Sequence, residues 1–173
     1  MARTDPSTDP PPPPGWLHHL VEAFGDAAVE PQAVGHASAA IRLGSALLLG
    51  GLVGLERERA ARPAGLRTHM LVSVAAALFT TMALEIAAAG GRLGPDLRVD
   101  PTRVLEAVTA GVAFLAAGAI IRQGRSVRGL TTGAGLWMAG AVGVTCALGH
   151  LALAAGATAA TLMVLSVIRQ FED

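Results

Sequence analysis

The chain of 173 residues contains no lysine and no tyrosine, and Cys146 is its single cysteine. One cysteine excludes an intramolecular disulfide and a zinc site built from cysteines. Thirteen arginines balance thirteen acidic residues, so no net positive field attracts nucleic acid, and we expect no such partner. The spacings typical of catalytic triads, phosphate loops and zinc sites are also missing, so nothing predicts an enzyme or a cofactor.

Apolar residues, by contrast, make up 52% of the chain. They concentrate in five segments, at about 39–55, 68–89, 104–121, 129–149 and 151–168. A transmembrane helix needs about 20 mostly apolar residues. We therefore predict an all-α, polytopic membrane protein with five transmembrane helices. The last segment follows the fourth almost directly, so it is either a full span, which we favour, or a re-entrant half.

Two N-terminal regions precede these segments. Residues 1–15 are rich in proline and are predicted to be disordered. Residues 16–36 include apolar side chains at helical spacing, which predicts an amphipathic helix that lies on the bilayer or caps the bundle. The membrane domain is predicted to cover 37–173. Its many glycines and alanines predict close helix packing, and a homo-oligomer, with a dimer favoured.

Two arginine-rich connections separate the apolar segments, from Gly54 to His69 and from Gly118 to Thr132. Short arginine-rich connections mark the cytoplasmic side of a membrane protein. Alternation of five spans places eight of the thirteen arginines on one side and five on the other. We predict an external N-terminus and a cytoplasmic C-terminus.

The two connections match each other when the sequence is shifted by 64 residues, since Gly65 then falls on Gly129 and Thr68 on Thr132. This match indicates either a parallel repeat of two helical hairpins or convergent use of one loop design. In both, a Gly-Leu-x-Thr sequence is predicted to open a helix, with threonine hydroxyls capping free backbone N–H groups.

Three stretches together resemble the MgtC/SapB family of bacterial inner-membrane proteins: RLGSALLLGGLVGLERERAARPAGLRTHMLVSVAAALF, DPTRVLEAVTAGVAFLAAGAII and VRGLTTGAGLWMAGAVG. The resemblance covers about 39–168. It implies a protein associated with magnesium limitation, virulence or acid stress, and in some members with restraint of the ATP synthase. Many relatives carry a soluble C-terminal domain, and because this sequence ends at Asp173, just after the last span, we expect no function of that domain here.

Most candidate functional residues lie in the two connections. They are Glu56, Arg57, Glu58, Gly65, Arg67, Thr68, Arg128, Gly129, Thr131 and Thr132. The acids form either an interfacial girdle of ion pairs with Arg57, Arg67 and Arg128, or a functional cluster in which Glu56 binds a cation or proton. Glu56 and Glu85 are the metal candidates, although Mg²⁺ needs free carboxylates and arginines outnumber acids here. His69 is interpreted as an interfacial residue rather than a ligand.

Three functions remain open from these residues. The first is a regulator that binds another membrane complex, such as the ATP synthase, through its arginine-rich cytoplasmic face. The second is a transporter of Mg²⁺, another cation or protons that uses intramembrane carboxylates. The third is a structural protein that organises lipids.

Overall fold

The computed structural model describes residues 34–93, 100, 102–123 and 126–167. They form five helices and one pair of short strands: α1 (His36–Arg59), α2 (Leu66–Leu93), α3 (Thr102–Gly118), β1 (Ile121–Gln123), β2 (Ser126–Arg128), α4 (Leu130–Ala147) and α5 (Leu151–Val167). The predicted tail at 1–15 and all but the end of the predicted segment at 16–36 lie outside the described residues.

Each of the five predicted apolar segments coincides with a helix, so the mainly helical membrane fold is confirmed. Three stretches among the described residues are long and apolar enough to cross a membrane: His36–Arg59, Leu66–Ala88 and Leu130–Ala147. Leu151–Ser166 is apolar but shorter. The number of spans and the internal repeat remain predictions.

The connection between α3 and α4 contains two short strands that the sequence does not predict. Helix α3 ends at Gly118, and β1 then pairs with β2 in an antiparallel hairpin in which Arg122 lies opposite Val127. Two residues separate the strands in the sequence, a number that favours a tight hairpin. Strands of three residues give too little alternation to be recognised in a sequence.

Helix α4 is the centre of the bundle, since it contacts each of the other four helices. One apolar cluster joins α4 to α1, α2 and α5 through Ala46, Ala77, Val142, Cys146, Ala147 and Ala154. Cys146 is fully buried there, which confirms it as a small packing residue. Helix α3 is enclosed only in part, with Val112 and Ala116 buried among its residues.

Glycines allow α1, α2 and α4 to approach closely, as the composition predicts. A Cβ added at Gly50 would lie 2.5 Å from the Cβ of Ser73, and one added at Gly54 would lie 2.8 Å from the Cβ of His69. At Gly143 the added atom would lie 2.1 Å from the backbone oxygen of Ser73. The three helices therefore leave no room for larger side chains at these crossings.

The bundle has one end where α1 and α3 finish and α2 and α4 begin. Helix α5 also ends there, because Nη2 of Arg57 lies 3.5 Å from the backbone oxygen of Leu165. We call this end the arginine end, since it carries the exposed side chains of Arg59, Arg62, Arg67 and Arg128.

At the opposite end, α4 stops at a Schellman motif, in which the N–H of Gly149 bonds to the oxygen of Cys146 and that of His150 to the oxygen of Thr145. Gly149 has a φ of +85°, which suits glycine.

Before α3, the pKa of the Asp100 carboxyl is held below its usual value, chiefly by the hydrogen bond from the Thr102 hydroxyl.

Candidate functional site

Both Gly-Leu-x-Thr sequences open helices as predicted, since α2 begins at Leu66 and α4 at Leu130. The prediction of threonine caps is wrong. Within the described part of the chain, the hydroxyls of Thr68, Thr131 and Thr132 cap no backbone N–H, and the Thr132 hydroxyl is buried without a partner.

Helix α2 is capped instead by Glu58, whose Oε2 accepts the N–H of Leu66 at 2.7 Å. A carboxylate at this position also interacts favourably with the positive end of the helix dipole. Gly65 leaves room for this contact, because an added Cβ would lie 2.7 Å from that same oxygen. Glu58 therefore serves the local fold, and one of its oxygens is already engaged.

Helix α4 uses backbone geometry at the corresponding place. Gly129 has a φ of +88°, and a Cβ there would lie 2.0 Å from the backbone oxygen of Ala119. Only glycine allows the hairpin to turn into α4 so close to the end of α3. Gly65 and Gly129 thus occupy matching sequence positions for different physical reasons.

Glu56 forms an ion pair with Arg57, the next residue in the chain. The Arg57 side chain is 3% exposed and that of Glu56 is 15% exposed, so the pair is largely removed from solvent. Arg57 also donates to the backbone oxygen of Leu165 near the end of α5, where a cation is favourable. The pair joins α1 to α5 at the arginine end.

The predicted girdle of ion pairs therefore forms only in part. Among the residues that the structure describes, Arg67 and Arg128 are exposed and contact no acidic side chain. Of the two acids of the first connection, Glu56 pairs with Arg57, and Glu58, although exposed, bonds to the start of α2. The guanidinium groups of the arginine end are left available at the surface.

His69 lies in the first turn of α2, as expected, but its side chain is fully buried in the bundle. Its Nδ1 lies 2.9 Å from the oxygen of Gly65, so in the neutral tautomer that donates this bond Nε2 is an acceptor. Nε2 has no partner and faces Gly135, where an added Cβ would lie 3.1 Å away.

Ser73 and Thr132 are also buried with unpartnered hydroxyls, which sets them apart from other buried hydroxyl residues. Those of Thr80, Thr81 and Thr158 each donate to the backbone oxygen four residues earlier. We call Arg57, His69 and Ser73 the buried polar cluster, since His69 lies near Arg57 beside Gly135 and near Ser73 beside Gly50. Ser73 is not among the residues predicted from the sequence. It lies four residues after His69, and the same spacing of four separates Gly50 from Gly54 on α1.

Glu85, the other metal candidate, lies far along α2 and accepts the backbone N–H of Val34 at 2.9 Å. Arg42 donates to the oxygen of Ala147 at 2.6 Å and so stabilises the end of α4. In the described ranges, no three histidine, cysteine, aspartate or glutamate side chains form a group able to hold a metal ion. The structure does not bring Glu56 and Glu85 together as ligands.

Comparison with known proteins places this arrangement in a family. A model of the MgtC family matches residues 43–173, which include both arginine-rich connections. The chain is 42% identical to a protein named Protein MgtC from Brucella abortus (strain 2308) over 127 residues, or 73% of this chain and 50% of that protein. It is 40% identical to Protein MgtC from Salmonella typhimurium (strain LT2) over 125 residues, or 72% and 48%.

The chain thus spans about half the length of the curated relatives that it matches. No solved structure matches it. The family match extends over four of the five helices completely and over most of α1. Together with the apolar helices, it confirms the resemblance that the two connections indicate, and the chain belongs to the MgtC family.

Proposed function

We propose that this protein is a regulator in the bacterial inner membrane whose arginine end faces the cytoplasm and binds an acidic surface of another membrane complex, such as the ATP synthase. The main support for the proposal is the excess of exposed arginines at that end. Arg59, Arg62, Arg67 and Arg128 are exposed there, whereas Glu56 pairs with Arg57, and Glu58, although exposed, accepts the N–H of Leu66.

Exposed guanidinium groups suit this role because each can form two parallel hydrogen bonds to one carboxylate. An isolated surface ion pair contributes only about 0.2–1 kcal/mol, so several arginines must act together. Arg67 lies at the start of α2 and Arg128 in β2, just before α4, and the positive ends of both helix dipoles add to the attraction.

The proposed orientation follows from the distribution of arginines. The richer side of a membrane protein is usually cytoplasmic. In the described part of the chain, the arginine end carries Arg57, Arg59, Arg62, Arg67 and Arg128, whereas Arg42 and Arg103 lie toward the opposite end.

The double substitution Arg67→Ala and Arg128→Ala is expected to abolish co-purification of the partner complex from membranes, because both guanidinium groups are lost from the binding surface. The measurement is affinity purification from the native host with quantitative mass spectrometry. Arg103→Ala, an exposed arginine at the opposite end, is the matched control and should retain the partner.

Undiminished co-purification by the double variant would contradict the regulator. The alternative function, a transporter of Mg²⁺, another cation or protons, draws on the buried polar cluster beside Glu56. Flux into liposomes that contain the purified protein, with loss of that flux in Glu56→Gln, would support the transporter instead. The engagement of both Glu56 and Glu85 within the fold favours the regulator.

We further propose that the protein is a homodimer that associates through small residues. Several glycines are already used inside the chain, but Gly44 and Gly111 have no neighbouring atom within 4 Å of an added Cβ. These open positions allow close approach of a second copy. Light scattering in mild detergent should give the mass of two chains, and a single-chain mass at all concentrations would contradict the dimer.

A further inference from the structure

A groove runs between α1 and α5 at the arginine end. It has a volume of about 400 Å³ and is lined by Leu52, Leu55, Glu56, Arg59, Leu162 and Ser166. On α1 the lining positions are spaced by three, one and three residues, so they form one stripe along the helix. The stripe is apolar toward the membrane interior and charged toward the end of the helix.

The two charged groups of the groove differ in their surroundings. Oε2 of Glu56 bonds to Arg57, and the other carboxylate oxygen has no partner within the described residues. Arg59 is exposed and pairs with no acidic side chain there. Arg57 satisfies one oxygen of the Glu56 carboxylate, and a partly buried carboxylate oxygen without a donor is costly, so the groove favours a second N–H donor beside Glu56.

Side chains three residues apart on a helix have Cβ atoms about 5–6 Å apart. The groove therefore presents an acceptor and a guanidinium donor at neighbouring positions, above leucines. A phospholipid with a primary amine in its headgroup complements all three features. Its ammonium donates to Glu56, its phosphate accepts from Arg59, and an acyl chain lies along Leu52, Leu55 and Leu162.

Other phospholipids match less well. A choline headgroup carries a positive charge but has no N–H to donate to the carboxylate. A glycerol headgroup leaves the lipid anionic, so it meets Arg59 but places no cation beside Glu56. We propose that the groove between α1 and α5 is a binding site for a phospholipid with a primary amine headgroup, in particular phosphatidylethanolamine.

The test is native mass spectrometry of the purified protein, titrated in detergent with equal amounts of phosphatidylethanolamine, phosphatidylcholine and phosphatidylglycerol of identical acyl chains. We expect one phosphatidylethanolamine to be retained with roughly tenfold preference, the factor given by one charged hydrogen bond. Leu162→Trp, which fills the groove, should remove that preference. Arg59→Gln removes the donor to the phosphate, which all three lipids carry, and should weaken the retention of all three.

Matched controls separate this site from general lipid contact. Leu153→Trp changes a 66% exposed leucine on the same helix at its other end, and Arg62→Gln removes an exposed arginine outside the groove. Both should retain the lipid. Circular dichroism and size-exclusion chromatography check that Leu162→Trp folds, and Arg59→Gln, an exposed position, provides the second readout.

Equal retention of the three lipids, a preference for phosphatidylglycerol, or retention unchanged by both groove variants would overturn the site. The lipid assay uses the purified chain alone, and its result is independent of the partner complex. If no lipid preference is found, the proposed regulatory role is unaffected. If no partner complex co-purifies, the proposed lipid site is unaffected.

Discussion

Replacement of Gly143 by alanine is expected to destabilise the bundle by about 3 kcal/mol or more, the upper range for overpacking. The added Cβ would lie 2.1 Å from the backbone oxygen of Ser73, so relief requires movement of α2 away from α4. At Gly140 the nearest atom is Cγ2 of Val112, at 2.9 Å, and it belongs to a side chain on the less enclosed α3. Gly140→Ala should therefore cost less.

Gly156→Ala is the control for this series, because nothing lies within 4 Å of its added Cβ. This variant should be neutral or gain up to about 1 kcal/mol from the better helix propensity of alanine. Unfolding in mild detergent, followed by circular dichroism, measures all three variants. An order other than Gly143, then Gly140, then Gly156 would show that α2 and α4 are not in the close contact described.

The second large effect is expected for Arg57→Leu, which should lower the free energy of unfolding by about 3 kcal/mol. The substitution leaves the carboxylate of Glu56, 15% exposed, without its cation and removes the contact with Leu165 of α5. Arg62→Leu, at an exposed position outside the pair, is the control and should cost less than about 0.5 kcal/mol.

The double variant Glu56→Leu/Arg57→Leu separates the pair from the packing. Removal of one member of a buried pair is costly, whereas replacement of both by apolar residues is often nearly neutral. The double variant should therefore recover most of the stability lost in Arg57→Leu. If it were as unstable as the single variant, the loss would come from the contact with α5 and not from the unpaired carboxylate.

The helices could be predicted because apolar length is a local property of the sequence. The starts of α2 and α4 after Gly65 and Gly129 were also predictable, since each glycine precedes a long apolar run. The hairpin of β1 and β2 was missed because three-residue strands carry little pattern. Its role becomes visible only through Gly129, whose φ and close contact with Ala119 require the completed turn.

The candidate site was harder to predict because its contacts join separate elements. The sequence indicates that Glu56, Glu58 and the arginines share one end, but not which charges pair. Glu58 reaches eight residues forward to Leu66, and Arg57 reaches across the bundle to Leu165. His69 is buried against Gly54 and Gly135, which lie on two other helices. Neither glycine is a near neighbour of the histidine in the sequence, so the burial could not be predicted locally.

The uneven enclosure of the helices has a consequence for motion. Helices α1, α2 and α4 meet through glycines at distances that permit no sliding without steric clash, so they form a stiff body. Helix α3 touches it through few buried side chains and is linked to α4 by the hairpin. The packing therefore permits a swing of α3 about the Gly129 turn without displacement of the stiff body.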